Sequence, residues 1–261
     1  MRIVLDLRKT VEQNAATYFD RAKKLKAKAK GARAAVMRFQ AQLAELERHK
    51  PATTQAKRLE VIEHAPKQWY EKFRWFLSSE GYLCVGGRDA ATNEMLVKKH
   101  TDGHDIVCHT EAPGSPFFII KTEGTNPGAI TLDEARQACA SYSKGWKLGV
   151  SAMDSYCVKP DQVTKEAQAG EYLSKGAFMV RGKRDAKSVQ LKLAIGLLPD
   201  DRVMAGPESA VKKHCRKTML IAQGADKPSD AAKKIQKYLG AGDLDAIIRA
   251  LPPGDVKVIG Q

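Results

Sequence analysis

Residues 82–121, YLCVGGRDAATNEMLVKKHTDGHDIVCHTEAPGSPFFIIK, decide the fold. Short runs rich in aromatic and branched residues recur along this stretch, and pairs containing Gly or Pro separate them. Such runs are typical of strands, and Gly-Gly, Asp-Gly and Pro-Gly pairs are typical of the turns between strands. The stretch therefore predicts an antiparallel meander with strands at 82–85, 94–98, 105–109 and 117–121.

The flanking segments predict helices that are inserted irregularly among further strands. One helix is expected from Pro66 through Trp69 and Phe76 to a cap at Gly81, and the capping box Thr131-Leu-Asp-Glu134 opens another. Further strands are expected at 150–153, 156–158, 177–181, 191–197 and 218–222. Further helices are expected after Gly206-Pro207, from Ser229 or Asp230 to Gly240, and at 244–251. This order favours an α+β fold, a mainly antiparallel sheet domain with packed helices.

A long helix is predicted before this domain. Apolar or small residues recur from Val11 to Leu46 at spacings that alternate between four and three, which is the heptad seam of a coiled coil, and Pro51 ends it. At about 1.5 Å per residue the arm is roughly 55 to 60 Å long and projects from the domain. Because a lone helix cannot bury its seam, the arm needs a partner. The partner is residues 54–65 of the same chain, a second copy in a homodimer, or another protein.

The charge of the chain is strongly positive and unevenly distributed. Lys and Arg number 44 against 30 Asp and Glu, a formal net charge of +14, which favours a polyanionic partner. Residues 1–50 hold thirteen of the basic residues and five of the acidic ones, and residues 21–44 hold eight basic residues and no acid. A solvated helix usually mixes both signs. The arm is therefore predicted to bind phosphates, with a merely solvated helix as the alternative and membrane-surface binding disfavoured by the narrow seam.

Candidate binding residues lie on the arm and at strand ends or turns of the domain, where a basic patch would sit. Arg88 with Asp89 is interpreted either as a structural ion pair or as a phosphate-positioning pair. Trp69, Phe73 and Phe76 are expected to fill the core, with base stacking as the alternative. The candidate nucleic-acid-binding residues are Lys23, Lys24, Lys26, Lys28, Lys30, Arg88, Asp89, Lys98, Lys99, Lys121, Lys165, Arg181, Lys183 and Arg184.

Several function classes lack their signatures. The sequence has no G-x-x-x-x-G-K-[ST] loop, no G-x-G-x-x-G, no H-E-x-x-H and no G-x-S-x-G. A binding protein without cofactor is therefore expected rather than an enzyme. No segment has the length of a membrane span or the features of a signal peptide, so a cytoplasmic location without membrane partners is expected.

The five cysteines are Cys84, Cys108, Cys139, Cys157 and Cys215. They are odd in number and lie in apolar stretches, so reduced core thiols are expected. A zinc site made of His100, His104, Cys108 and His109 is the alternative, but the Asp102-Gly103 turn falls within it and no metal is predicted.

Four ordered blocks of the chain resemble the RNA-binding domain of the NFACT family, the ribosome-quality-control factors that include the Rqc2, NEMF and RqcH proteins. The blocks are WYEKFRWFLSSEGYLCVGGRDAATNEMLVKKH at 69–100, DIVCHTEAPGSPFFIIK at 105–121, TLDEARQACASYSKGW at 131–146 and QVTKEAQAGEYLSKGAFMVRGK at 162–183. LDLRKTVEQNAATYFDRAKKLK at 5–26 is similar to the start of the family's middle coiled coil, and segments 202–214 and 247–254 are similar to extensions of archaeal members. The sequence departs from many relatives at Pro113-Gly114-Ser115 and at Tyr156-Cys157.

The resemblance implies three regions: a basic coiled-coil arm at 1–65, an RNA-binding domain at 66–200 and a C-terminal α/β extension packed on it at 201–261. It also implies an RNA-binding protein of ribosome-associated quality control, with tRNA or large-subunit rRNA and ribosomal proteins as partners. The family's N-terminal domain and helix-hairpin-helix segment are not in this sequence, so elongation of a stalled nascent chain with alanine is not expected of this chain alone. A separate protein carrying those parts is a further candidate partner. An assembly module with incidental charge, and an RNA-processing enzyme using Asp89, Glu94 and His109, are the alternatives.

Overall fold

A computed structural model describes residues 4–8, 10–48, 68–112, 114–165 and 176–260. The chain divides into two compact units, residues 1–65 and 66–261. The expected division at residue 200 stays a prediction. Pro51, the expected helix at 54–65, Pro66 and Pro113 lie outside the described residues.

The first unit is built on one long helix, α1 (Val11–Arg48, 38 residues). A reciprocal cap fixes its start. The Thr10 hydroxyl accepts a hydrogen bond from the Gln13 amide at 3.2 Å, and the Gln13 side chain accepts one from the Thr10 amide at 3.0 Å. The chain before the helix folds back on it, because the Tyr18 hydroxyl donates to the Val4 carbonyl at 2.6 Å.

The described part of the expected seam is exposed on α1. Val11 is 77% exposed, Leu25 57%, Val36 55% and Phe39 59%. The predicted long helix is confirmed by α1. Its pairing with another helix in a coiled coil stays a prediction.

The second unit contains antiparallel sheets and short helices, which confirms the α+β class. The strands are β1 (Arg74–Leu77), β2 (Leu83–Gly86), β3 (Ile106–Thr110), β4 (Phe118–Lys121), β5 (Ala152–Val158), β6 (Val163–Thr164), β7 (Met179–Val180), β8 (Asp185–Gln190), β9 (Leu193–Leu197), β10 (Val203–Gly206), β11 (Lys217–Asp226) and β12 (Val256–Ile259). The helices are α2 (Ala90–Lys99), α3 (Ala129–Ser141), α4 (Lys144–Lys147), α5 (Glu208–His214), α6 (Pro228–Leu239) and α7 (Leu244–Ala250).

The larger sheet has the strand order β1-β2-β4-β3-β5-β8, and the second sheet has the order β10-β9-β11-β12. Strands β6 and β7 form a separate two-stranded ladder. All the pairings are antiparallel, but β2 pairs with β4 rather than with the next strand in the chain. The expected simple meander is therefore wrong, because α2 is inserted between β2 and β3.

The core lies on both faces of the larger sheet, and β4 shows this most directly. Phe118 and Ile120 belong to the core cluster shared with α3 and the second sheet, whereas Ile119 belongs to the cluster on the opposite face. Successive strand side chains point to opposite faces, so an uninterrupted apolar run is what a strand covered on both sides requires.

Two secondary-structure expectations near the start of the domain are wrong. Residues 69–77 form a 3₁₀ turn (Trp69–Lys72) and strand β1 instead of a helix, because Phe76 pairs with Cys84 across a hairpin. Gly81 lies in the hairpin turn with a φ of 92°, a conformation that glycine adopts easily. Residues 94–98 belong to α2 instead of a strand, because Asp89 caps that helix by accepting from the Thr92 amide at 2.8 Å.

The expected capping box at Thr131 is also wrong, since α3 begins one turn earlier with Gly128 as its N-cap. The buried Thr131 amide instead donates to the Glu80 carboxylate at 3.1 Å, and the buried Glu134 accepts from the Ser79 amide at 2.8 Å. Both contacts tie α3 to the β1–β2 hairpin. Similarly, α6 is preceded by Lys227 instead of Ser229 or Asp230, although Gly240 ends it with a φ of 78° as expected.

The expectation of five reduced cysteines is corrected for one pair. Cys108 and Cys157 are joined by a disulfide, while Cys84, Cys139 and Cys215 are free. Cys108 on β3 lies directly opposite Cys157 on β5 in the sheet register. Sequence spacing could not show this, because 49 residues separate the two cysteines.

Candidate nucleic-acid interface

The arm places five of the candidate lysines on one helix. Lys23, Lys24, Lys26, Lys28 and Lys30 are exposed on α1, and none forms an ion pair with another described residue. At about 3.6 residues per turn, Lys26 and Lys28 border the seam on its two sides, whereas Lys23, Lys24 and Lys30 lie farther round the helix. A helix bound along the seam would therefore leave the outer lysines accessible to phosphates.

In the domain, one carboxylate brings two candidate lysines together. The Lys98 and Lys165 ammonium groups each lie 2.8 Å from Glu94 Oε1. Hydrogen bonds from Lys165 and Lys98 lower the pKa of Glu94 to about 2, so the carboxylate is ionised at neutral pH. The Lys165 ammonium also lies 5.4 Å from the centroid of the Phe178 ring. Half of the positive charge of this pair is thus neutralised within the domain.

Lys121 is committed to the fold more strongly. Its ammonium contacts Asp102 and Asp105 at 2.5 Å each and the His100 carbonyl at 3.1 Å, and only 15% of the side chain is exposed. Burial alone would lower the pKa of Lys121, but the hydrogen bonds with Asp102 and Asp105 outweigh burial and raise it. The neighbouring Lys99 is exposed and forms no ion pair with the described residues. Of these two candidates, Lys99 is the accessible one.

Arg88 and Asp89 form no ion pair with each other, although each charge favours the ionised form of the other, and the phosphate-positioning reading of the pair stays a prediction. The Arg88 guanidinium donates to the Arg249 carbonyl at 2.7 Å, at the end of α7. Burial and the nearby Arg249 lower the pKa of Arg88. Arg74 donates to the carbonyl of Leu251, the residue that directly follows α7, at 3.0 Å. Two arginines thus lie at the C-terminal, negative end of the α7 dipole.

The last three candidates share the turn between β7 and β8. Gln162 holds this turn by donating to the Arg181 carbonyl at 2.9 Å and to the Lys183 carbonyl at 3.4 Å, and the basic side chains remain exposed. The Arg184 guanidinium lies 5.2 Å from the Tyr156 ring centroid and 3.3 Å from the Glu111 carboxylate. Its hydrogen bond with Tyr156 raises the pKa of Arg184 further. The turn therefore presents a compact basic cluster on a fixed backbone.

Sequence reasoning missed an aromatic stack at the start of the domain. The rings of Trp69 and His100 are stacked with centroids 4.5 Å apart and an interplanar angle of 8°. The spacing of Trp69 with Phe73 and Phe76 indicated core, and Phe73 and Phe76 are indeed buried, but Trp69 is 39% exposed. Its partner follows by 31 positions in the chain, so no local pattern could have shown the stack.

The alternative zinc set is not assembled. Cys108 is in the disulfide, His100 stacks on Trp69, and His109 stacks on Phe117 at 4.3 Å. His104 lies near Asp102 and Asp105 instead, within 4.8 Å. Because the Lys121 ammonium bridges those two carboxylates, it already supplies the positive charge there.

None of the helices in the described parts of the chain has both the length and the apolar character of a membrane span.

The comparisons with known proteins agree with the resemblance in sequence. Residues 72–182 match the family model described as the NFACT protein RNA binding domain. The archaeal Rqc2 homolog aRqcH of Methanocaldococcus jannaschii is 38% identical over 200 residues, 74% of this chain and 30% of that protein. The ribosome quality control complex subunit NEMF homolog of Drosophila melanogaster is 45% identical over 132 residues, 50% of this chain and 13% of that protein.

Among solved structures, the C-terminal part of the fibronectin/fibrinogen-binding protein from Streptococcus suis gives a TM-score of 0.39 at 16% identity, over 70% of this chain and 76% of that chain. The chain spans 30% and 13% of the lengths of the archaeal and fly relatives. The matched family domain contains β1 to β7 with the Lys98–Glu94–Lys165 and Lys121 contacts. With its RNA-binding domain at residues 72–182, the chain belongs to the NFACT family.

Proposed function

We propose that this protein binds RNA in ribosome-associated quality control, with α1 and the NFACT RNA-binding domain both contacting tRNA or large-subunit rRNA. The names of the archaeal and fly relatives support the pathway. The proposed action is binding without a chemical step, in the cytoplasm. Ribosomal proteins are the proposed protein partners.

The observation that carries this proposal is the group of exposed lysines on α1 that form no ion pair with other described residues, in a chain that also holds an RNA-binding domain. Each lysine that neutralises a phosphate releases counterions, which gives affinity independent of RNA sequence. In the domain, basic groups held on fixed turns favour recognition of RNA shape over a base-by-base code. The arm would thus supply affinity and the domain would supply selectivity.

The test is crosslinking of the tagged protein in its own cells, followed by sequencing of the bound RNA and sedimentation through a sucrose gradient. We expect enrichment of tRNA or large-subunit rRNA, and sedimentation with the large subunit. A protein that stays at the top of the gradient, with RNA at background level, contradicts the proposal.

A second candidate function is assembly through α1, which the exposed seam favours. In this case the protein dimerises with rising concentration, whether or not RNA is present. Replacing Leu25 and Val36 by Ser should abolish that dimer. Replacing Met37 by Ser should leave the dimer intact, because Met37 is 71% exposed but lies off the seam. A monomer at all concentrations in sedimentation velocity rejects this function.

The RNA-processing alternative receives little support from its three residues. Asp89 caps α2, Glu94 binds two lysines, and the His109 ring is packed on Phe117 with its Nδ1 2.7 Å from the Thr110 carbonyl oxygen. Burial lowers the pKa of His109. Each group thus has a structural task, and a binding role without turnover on RNA is what we propose.

A further inference from the structure

Trp69 is held in place from several sides although much of it is open to solvent. Its ring stacks on His100, and the rings of Tyr70 and Phe73 lie edge-on at 5.8 and 6.1 Å. His100 is itself fixed at the end of α2, where its amide donates to the Leu96 carbonyl at 3.0 Å. The indole is therefore pre-oriented by Tyr70 of its own 3₁₀ turn and by Phe73 and His100, which directly follow that turn and α2.

The exposure of Trp69 is not explained by packing. Trp146 in the same unit is 2% exposed, whereas Trp69 is 39% exposed. A large aromatic side chain is usually buried for the apolar area that it removes from water. An indole that is oriented and left open suits a ligand with a flat ring, since stacking then costs little conformational entropy.

The surroundings of the stack are cationic. Burial, together with the charges of Lys72, Lys121 and Lys99, lowers the pKa of His100, so this imidazole is neutral at neutral pH. Lys121 is engaged with its two aspartates, but Lys72 and Lys99 are exposed and have no ion pair among the described residues. The Lys72 ammonium lies 5.1 Å from the Phe73 ring centroid, next to the stack. The site therefore favours a ligand that combines an aromatic ring with negative charge.

We propose that the Trp69–His100 stack binds one unpaired nucleotide of RNA, with the base on Trp69 and its phosphates near Lys72 and Lys99. An unpaired nucleotide is required because a base within a duplex has no free face to offer. This inference rests on the proposed RNA-binding function and adds to it a defined base contact. It predicts a preference for RNA with an accessible base at a loop, bulge or end.

The test compares two ligands of equal charge, a single-stranded RNA oligomer and an oligomer of the same length whose sugars carry no bases. Replacing Trp69 by Ala should weaken binding of the RNA oligomer about 5- to 150-fold, the effect of losing one stacked base. Binding of the abasic oligomer should change less than twofold, because the phosphate contacts remain. Trp69→Tyr should restore most of the affinity.

Tyr238→Ala is the matched control, since Tyr238 is an aromatic residue of 40% exposure on α6 and should be indifferent to both ligands. Quenching of tryptophan emission by the RNA oligomer is a second readout, and Trp69→Phe should remove most of it. This conservative variant keeps the test valid if Trp69→Ala destabilises the domain.

The outcomes separate the two proposals. If the unmodified protein binds neither oligomer, RNA binding itself is wrong and the stack falls with it. If the protein binds both oligomers equally and the Trp69 variants change neither binding nor quenching, the stack is not a base site while RNA binding stands.

Discussion

The lysines of α1 and those of the RNA-binding domain carry the same charge in different surroundings. The lysines at 23–30 of α1 form no ion pair with other described residues. In the domain, Lys98 and Lys165 share Glu94, Lys121 lies between two aspartates, and Arg184 pairs with Glu111. The first set can exchange counterions for phosphates at once, whereas the second must first give up internal contacts.

The difference teaches that a positive net charge indicates a polyanion-binding surface only where the charges lack partners in the fold. Exposed ion pairs contribute little stability, so Lys98 and Lys165 can be redirected to a ligand at small cost. A buried pair such as Lys121–Asp105 cannot, because removing the ammonium leaves a carboxylate that is fully buried. Substitutions of these basic residues can therefore rank them by their availability to RNA.

The largest effect is expected on the arm. Replacing Lys23, Lys24, Lys26, Lys28 and Lys30 by Gln should weaken RNA binding on the order of 100-fold at 50 mM salt, and the salt slope should fall by about 0.7–0.9 per lost contact. Gln preserves helix propensity, so the loss reports charge rather than folding. Binding isotherms at several salt concentrations measure both quantities.

The matched control removes the same charge from five lysines that are paired in the second unit, namely Lys187, Lys192, Lys212, Lys233 and Lys234. We expect a much smaller change in slope for the control. Equal losses in the two variants would mean that net charge acts without regard to place, and an unchanged slope for the arm variant would end the arm's assigned role.

The next effect concerns folding. Replacing Lys121 by Met should lower the free energy of unfolding by about 2–4 kcal/mol, because Asp105 then stays buried without its cation. Replacing Lys98 by Met should cost at most about 0.5 kcal/mol, since Lys98 is 53% exposed and Glu94 keeps its second cation, Lys165. Urea unfolding of the intact chain measures both variants. If they unfold alike, Lys121 is not a structural residue.

Substitutions of Arg88 and of Lys99 should have opposite effects: the first should lower stability, and the second should weaken RNA binding. Replacing Arg88 by Met removes the bond to the Arg249 carbonyl, so we expect about 1–2 kcal/mol less stability and an unchanged salt slope for RNA. Replacing the exposed Lys99 by Met should leave stability within about 0.5 kcal/mol and lower the slope by about 0.7–0.9. Thermal unfolding and salt-titrated binding provide the two readouts, and a reduced slope for the Arg88 variant would contradict its structural role.

The long helix and the central strand were predictable because their signals are local. An unbroken heptad pattern runs through α1, and three apolar residues in succession mark β4 as buried on both faces. Residues 69–77 were not predictable in this way, since their aromatic spacing fits helix and strand alike. The pairing of Phe76 with Cys84 across the hairpin is what places Phe76 in a strand. The Asp89–Thr92 cap of α2 was a local signal that could have been read.

The sequence predicted which residue types form the candidate site, but not which of their side chains are already engaged in contacts within the fold. The chain positions of the lysines and arginines mark turns and strand ends, yet their partners are distant: Lys121 and Asp105 are 16 residues apart, and Arg88 and Arg249 are 161 apart. Whether a basic residue is free for RNA depends on such contacts. The α1 lysines are the exception, because a stretch without acids predicts a lack of partners within the helix.

The smallest effect runs in the opposite direction, toward tighter binding. Replacing Glu94 by Gln frees Lys98 and Lys165 and adds one unit of net positive charge, so RNA affinity should rise about two- to threefold at low salt. Since the pKa of Glu94 is lowered to about 2 in the folded protein, the gain should stay constant from pH 5 to 8. The ion pairs of Glu94 with the two lysines are fully formed above pH 4.5 and should be lost only as the pH falls toward 2.

Glu208→Gln is the control, because Glu208 also holds two lysines, Lys192 and Lys212, but lies outside residues 72–182. A gain confined to the Glu94 variant places the RNA beside α2 and the β6–β7 ladder, whereas an equal gain in both variants would show that this carboxylate does not compete with RNA for its lysines.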